Sequence, residues 1–206
     1  NYVNVDAFVR GLQERLDRIL HRRVEDALAS FTASLDSMHV DGDTPVVQVV
    51  LRAQTLQLEP ALDMARAHWF HAFGTCLDIV LLQPRLYVTQ RTLELRERSV
   101  STHRDLLRAI PPAALQAPLR RIQAALAEAH VYAMQWLELQ MLWDAEPESA
   151  APTDDLEAWL QLMERVRETR AFVSAAPRRA FGLVHIDAPP AQARVAARLD
   201  AWQAAF

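Results

Sequence analysis

Apolar residues recur along this chain mostly at the three- and four-residue steps of an α-helix. Phe8, Leu12, Leu16, Ile19, Val24, Ala27, Phe31 and Leu35 predict one face of a helix of roughly 28 residues, with the charges on its other side. Asp41-Gly42-Asp43-Thr44-Pro45 then predicts a loop, because glycine and proline both disfavour continuing a helix. From Val46 to Leu58 the period changes. The β-branched residues and the alternation Thr55-Leu56-Gln57-Leu58 predict extended chain, stopped by Pro60. Leu183-Val184-His185-Ile186, between Gly182 and Pro189-Pro190, is a second extended candidate. Two strands this short are not stable alone in water, so they are expected to pair with each other and lie against helices.

Helical spacing resumes from about Ala61 to Leu82, with Leu62, Trp69, Phe73, Leu77 and Val80 on the inner face and Pro84 following. Thr89 to Ala109 is more polar and reads as helical but poorly packed. Beyond Pro111-Pro112, the stretch from Ala113 to Asp144 aligns Leu115, Leu119, Ile122, Leu126, Ala129, Ala133, Trp136, Gln140 and Trp143. As one helix it would run about 48 Å, longer than a compact globule of this size needs. After a loop from Pro147 to Thr153, Asp154 or Asp155 is expected to cap a helix carrying Leu156, Trp159, Met163, Val166 and Val173. A last helix begins after Pro190, with Val195, Leu199, Trp202 and Phe206 on one stripe. The fold expected is mainly α: an elongated multi-helix bundle with a small pair of short β-strands, at about 46–58 and 183–186. Residues 1–206 read as one helical-bundle segment.

Composition narrows the chemistry. With 206 residues, 51% of them hydrophobic, the chain can bury a core without metals or disulfides. Its lone cysteine, Cys76, cannot form an internal bridge and reads as a small buried hydrophobe in a reducing compartment. The apolar runs are too short for a membrane span, no signal pattern appears, and a start at Asn1 reads as a fragment of a longer polypeptide. All 22 basic residues are arginine, so neither a P-loop lysine nor a Schiff-base amine is available. The net charge is −4 and arginines alternate with acids from Arg10 to Glu25, which reads as a solvated surface rather than a stripe for nucleic acid. Glycines stand only at positions 11, 42, 74 and 182, too few for a nucleophile elbow or a dinucleotide fingerprint. His68 and His71 are three apart on a helix and offer two imidazoles to a metal, but no third ligand follows at a telling spacing. Trp136, Gln140 and Trp143, at i, i+4 and i+7, place two aromatic bodies and an amide on one helix face. They read as core packing or as a dock for a neighbouring subunit. A buried amide in either setting needs a specific partner.

The joint order of several runs is similar to the late tail of the cytoplasmic dynein heavy chain. These runs are Val46-Val47-x-Val49-Val50-Leu51, Leu56-Gln57-Leu58-Glu59-Pro60 and Leu82-Gln83-Pro84-Arg85-Leu86. Trp136-Leu137-x-x-Gln140-x-Leu142-Trp143-Asp144 follows, then Leu156-x-x-Trp159, Phe181-Gly182-x-Val184-x-Ile186-Asp187 and a closing Trp202. The match departs at Tyr87-Val88-Thr89-Gln90-Arg91, where the family continues with a Gln-Ser-x-Arg-Tyr-like stretch.

The resemblance implies a non-catalytic piece of an ATP-driven, minus-end-directed microtubule motor, with ATP hydrolysis elsewhere in the polypeptide and no cofactor in this segment. Its implied site residues are Pro84, Arg85, Trp136, Leu137, Gln140, Leu142, Trp143, Asp144, Trp159, Phe181, Gly182, Ile186, Asp187 and Trp202. Implied partners are other parts of the same heavy chain, a second heavy chain, intermediate and light intermediate chains, dynactin and adaptors, with no nucleic acid and no membrane insertion. The implied location is cytoplasmic and cytoskeleton-associated, with a ciliary form as the other subclass. From the residues alone, an unrelated helical scaffold and a small helical enzyme around His68 and His71 remain open.

Overall fold

The computed structural model describes residues 3–37, 44–82, 103–144, 155–175 and 177–205. They are mainly helical: α1 (Val3–Ser37), α2 (Leu62–Leu81), a 3-10 helix (His103–Arg108), α3 (Pro112–Glu138), the single turn α4 (Met141–Asp144), α5 (Leu156–Ala175) and α6 (Pro189–Ala204). A small sheet accompanies them, made of β1 (Val46–Arg52), β2 (Thr55–Glu59), β3 (Arg178–Ala180) and β4 (His185–Asp187). The chain divides into two compact units, Asn1–Ser37 with His68–Ile122, and Met38–Ala67 with Gln123–Phe206. No described helix is long and apolar enough to cross a membrane.

In the first unit the core is built from Val24 and Leu28 of α1, Leu77 and Leu81 of α2, and Ile110, with Phe73, Val80, Leu106, Leu107 and Leu115 packed against it. The α2 face expected from the sequence is the one that turns inward. For α1 the expected face is rotated in its amino-terminal half. Leu20, Val24, Leu28 and Leu35 are buried, whereas Phe8, Leu12 and Ile19 are exposed, Phe8 by 70%. The physical reason is that α1 is apolar on two sides in this half, and only one side meets the core. The polar segment before Pro111 also packs better than its composition suggests: its described part is the 3-10 helix, whose His103 is fully buried. The imidazole Nδ1 lies 3.2 Å from Asp17 Oδ1, without hydrogen-bond geometry. The rest of the expected 89–109 helix lies outside the described residues. Cys76 is half-buried, its Sγ 3.6 Å from the Ala27 carbonyl, and burial pushes its thiol pKa up.

In the second unit the sheet order is β2-β1-β4-β3. The two expected extended segments do pair: β1 runs parallel to β4, with Val46 opposite His185 and Val47 opposite Ile186. The first segment is not one strand, however. It folds into an antiparallel hairpin, with Arg52 opposite Thr55 and Ala53-Gln54 as a two-residue turn at φ 47° and 66°. Primed turns of this kind normally carry Asn-Gly, so Ala-Gln gave no turn signal. The three-residue β3, antiparallel to β4, was not expected from the sequence either. Val47, Val49, Val184 and Ile186 are fully buried, and α6 packs against both β1 and α5. Helix α6 starts with Pro189 and Pro190 in its first turn, where the missing N–H groups would lack intrahelical partners anyway. At α5, Asp155 caps the amino terminus by accepting from the Glu157 and Ala158 N–H groups.

The predicted helix from Ala113 to Asp144 is interrupted. Helix α3 ends at Glu138, and the next turns tighten into three-residue bonds, Gln140 N–H to the Leu137 carbonyl and Trp143 N–H to the Gln140 carbonyl, both 2.9 Å. No glycine or proline marks the break. At the break the Gln140 side chain bonds to a segment 84 residues away.

Candidate functional site

Several of the residues that carry the sequence resemblance lie in the second unit, around the end of α3. Trp136 is fully buried, its ring 5.2 Å from that of Phe172 on α5. One turn earlier, buried Tyr132 meets Phe172 at 5.8 Å and Phe181 at 5.4 Å. The Arg179 guanidinium lies 5.3 Å from the centroids of both Tyr132 and Phe181. Such a cation over two ring faces adds electrostatic attraction to the packing. Tyr132 stands four residues before Trp136, so helical spacing could have found it; nothing in the sequence marks Phe172 or Arg179 as its partners.

Gln140 holds the turn of the β1–β2 hairpin. Its Oε1 accepts from the Leu56 N–H at 2.7 Å, while its Nε2 donates to the Gln54 carbonyl and to Asp144 Oδ1, each at 3.0 Å. The amide therefore supplies both a donor and an acceptor to the backbone around a turn whose two central residues sit in the left-handed region. Beside the turn, Arg52 grips Glu59 through two hydrogen bonds of 3.1 and 2.9 Å. The Arg52 hydrogen bond holds the Glu59 carboxyl below its usual pKa, with a smaller push from Gln57 in the same direction.

The next carbonyl along, that of buried Leu142, receives two side chains of α6: Arg198 Nε at 2.7 Å and Trp202 Nε1 at 3.3 Å. Gln192 of α6 donates to the Val173 carbonyl of α5 at 3.0 Å. Arg170 of α5 also pairs with Asp200. At the break after α3 the Gln140 side chain thus satisfies backbone groups of the hairpin, and the Leu142 carbonyl receives donors from α6, tying three elements to one point.

Gly182 accounts for the Phe-Gly run. Its φ of 73° lies where side chains are disfavoured, and it lets the Leu183 N–H turn back to the Phe181 carbonyl at 2.8 Å while the Phe181 N–H donates to Val184 at 2.9 Å. This closes the β3–β4 hairpin and places Phe181 against Tyr132. Ile186 is fully buried, and Asp187 lies 3.7 Å from Arg178.

The remaining predicted residues fall as follows. Leu137, Trp143 and Trp159 are half-buried, so Trp143 is not on the buried face that Trp136 occupies; the helix break turns it away. Pro84 and Arg85 lie outside the described residues. His68 and His71 are exposed on α2, with His68 edge-on to Trp69 at 5.0 Å. Among the described residues, no three His, Cys, Asp or Glu side chains come together as a metal site. The arrangement around Gln140 has hydrogen bonds directed at hairpin backbone and at Asp144, and nearby aromatic rings directed at one another.

No protein-family model matches the chain. Individual proteins do. It is 30% identical to the "Dynein heavy chain, cytoplasmic" of Fusarium vanettenii and 26% identical to those of Neurospora crassa and Drosophila melanogaster, each alignment covering 98% of this chain. The chain spans about 5% of the length of these curated relatives. Along nearly its whole length it is homologous to one segment of the cytoplasmic dynein heavy chain.

Proposed function

We propose that this chain is a non-catalytic tail segment of the heavy chain of an ATP-driven, minus-end-directed microtubule motor. It serves as a stiff helical rod for assembly, load transmission and attachment of cargo and accessory subunits, in the cytoplasm and on the cytoskeleton. The observation that supports membership in such a motor is the similarity to cytoplasmic dynein heavy chains over 98% of this chain. The load-transmission part of the reading is supported by the joint at Gln140 and Leu142, where the end of α3, the β1–β2 hairpin and α6 are fastened by side chain to backbone bonds. Close-packed interiors deform little under force, and a kinked helix whose kink is cross-linked on two sides passes load without opening. ATP hydrolysis belongs elsewhere in the heavy chain. The partners are other parts of that chain, a second heavy chain, intermediate and light intermediate chains, dynactin and adaptors.

The test is to place Trp136→Ala in the whole heavy chain and measure microtubule-stimulated ATP hydrolysis, co-purification of accessory chains and cargo transport. The expected result is hydrolysis retained, with assembly or transport impaired. Hydrolysis abolished in a motor that still assembles would put chemistry in this segment, and all three readouts unchanged would remove the rod role.

A further inference from the structure

Helix α1 turns a second apolar stripe away from the core of its unit. Val5, Phe8, Leu12 and Ile19 are all exposed, at steps of three, four and seven residues. This is the seam spacing by which one helix packs along another. Arg15 and Arg22 fall at the intervening seam positions, and Arg18 and Arg23 flank them; all four are exposed. They border an open cleft of about 680 Å³ together with Ile19 and Asp26. Arg15, Arg22 and Arg23 have no carboxylate partner among the described residues. The Arg18 Nε donates to the Glu14 carbonyl of its own helix. The face is therefore apolar at its amino-terminal end and cationic towards its carboxy-terminal end, on a chain whose net charge is −4.

We propose that this face docks an amphipathic helix of another polypeptide, one with an apolar stripe flanked by aspartate and glutamate. Two features select that partner. Guanidinium groups bind carboxylates in a two-pronged geometry that a single side chain can satisfy. The apolar stripe runs in line with them over about 30 Å, the length of a helix of some 20 residues. Asp26 sets the end of the site, since an acidic partner extended past it meets like charge. This inference rests on the surface of α1 and names the chemistry of one attachment face within the role proposed above; peptide binding tests it without reference to the motor.

The test uses the 206-residue chain and two labelled helical peptides with leucine at the seam positions, one flanked by glutamate and one by lysine, followed by fluorescence anisotropy. The acidic peptide is expected to bind at least about tenfold tighter than the basic one. The charge-reversed variant R15E/R18E/R22E should invert that preference, and Phe8→Glu should weaken binding of the acidic peptide about tenfold. All four substitutions are at exposed positions, so circular dichroism should be unchanged. Equal binding of both peptides, or an unaltered preference in the charge-reversed variant, overturns the proposal. So does co-sedimentation with phosphatidylserine vesicles without acidic-peptide binding, which would make the face a membrane contact. A dimer in sedimentation equilibrium that Phe8→Glu dissociates would assign the stripe to a second copy.

Discussion

Gln140 and Trp136 stand one helical turn apart and do different things. Trp136 fills space, and its indole N–H, fully buried, has no hydrogen-bond partner among the described residues. Gln140 fills little space but satisfies a donor and an acceptor on the opposing turn. Replacing Gln140 by alanine leaves the Leu56 N–H and the Gln54 carbonyl without that partner, and should cost about 1–3 kcal/mol in chemical denaturation. Amide exchange at Leu56 should accelerate before that of the α3 core. If Leu56 exchanges at the parent rate, the amide is not what holds the turn. Spacing in the sequence placed both side chains on an inward face. It could not say that one would meet aromatic rings and the other a backbone turn 84 residues away, because a one-dimensional pattern records polarity and not the partner.

At the scale of elements, the β1–β2 hairpin carries a turn made from residues that dislike it. Ala53 and Gln54 both hold positive φ, at about 1 kcal/mol or more for each side chain. Substituting Asn-Gly at 53–54 should therefore stabilise the chain by about 1–2 kcal/mol, measured as a shift of the urea midpoint at constant m-value. A destabilised variant would mean that the present side chains make contacts worth more than the strain. The Arg52–Glu59 pair on the same hairpin sets a pH dependence. Its folded-state carboxyl pKa is depressed, chiefly by the Arg52 hydrogen bond. Its stabilising effect is present above the ordinary carboxylate range and disappears as pH falls through the lower folded value. Glu59→Gln should flatten the acid limb of the stability curve and leave the neutral region nearly unchanged, since the pair is solvent-exposed.

For the whole molecule, stability rests on a few large buried groups. Trp136→Ala should cost about 3–5 kcal/mol, a large share of the roughly 5–15 kcal/mol that a folded domain has in total. Equilibrium denaturation followed by the remaining tryptophans would measure it, and a loss below about 1 kcal/mol would mean that Phe172 and its neighbours collapse into the space.

The sequence by itself determined the helical class, the inner faces of α2 and α6, an aspartate cap at 154 or 155 and the pairing of the two extended segments. The helical class, the faces and the cap follow from local periodicity or local hydrogen bonding, which neighbours along the chain dictate; the pairing follows from the instability of such short strands on their own. The tertiary structure decided which of the two apolar sides of α1 is core, where α3 stops, and that 46–59 is a hairpin with Gln140 at its turn. These depend on groups far apart in sequence, whose contacts outweigh local preferences of about 1 kcal/mol per residue. His103 shows the same limit from the other direction: a polar residue in a polar stretch, it is fully buried beside Asp17 because the apolar side chains that follow it, Leu106, Leu107 and Ile110, carry the segment into the core of the first unit.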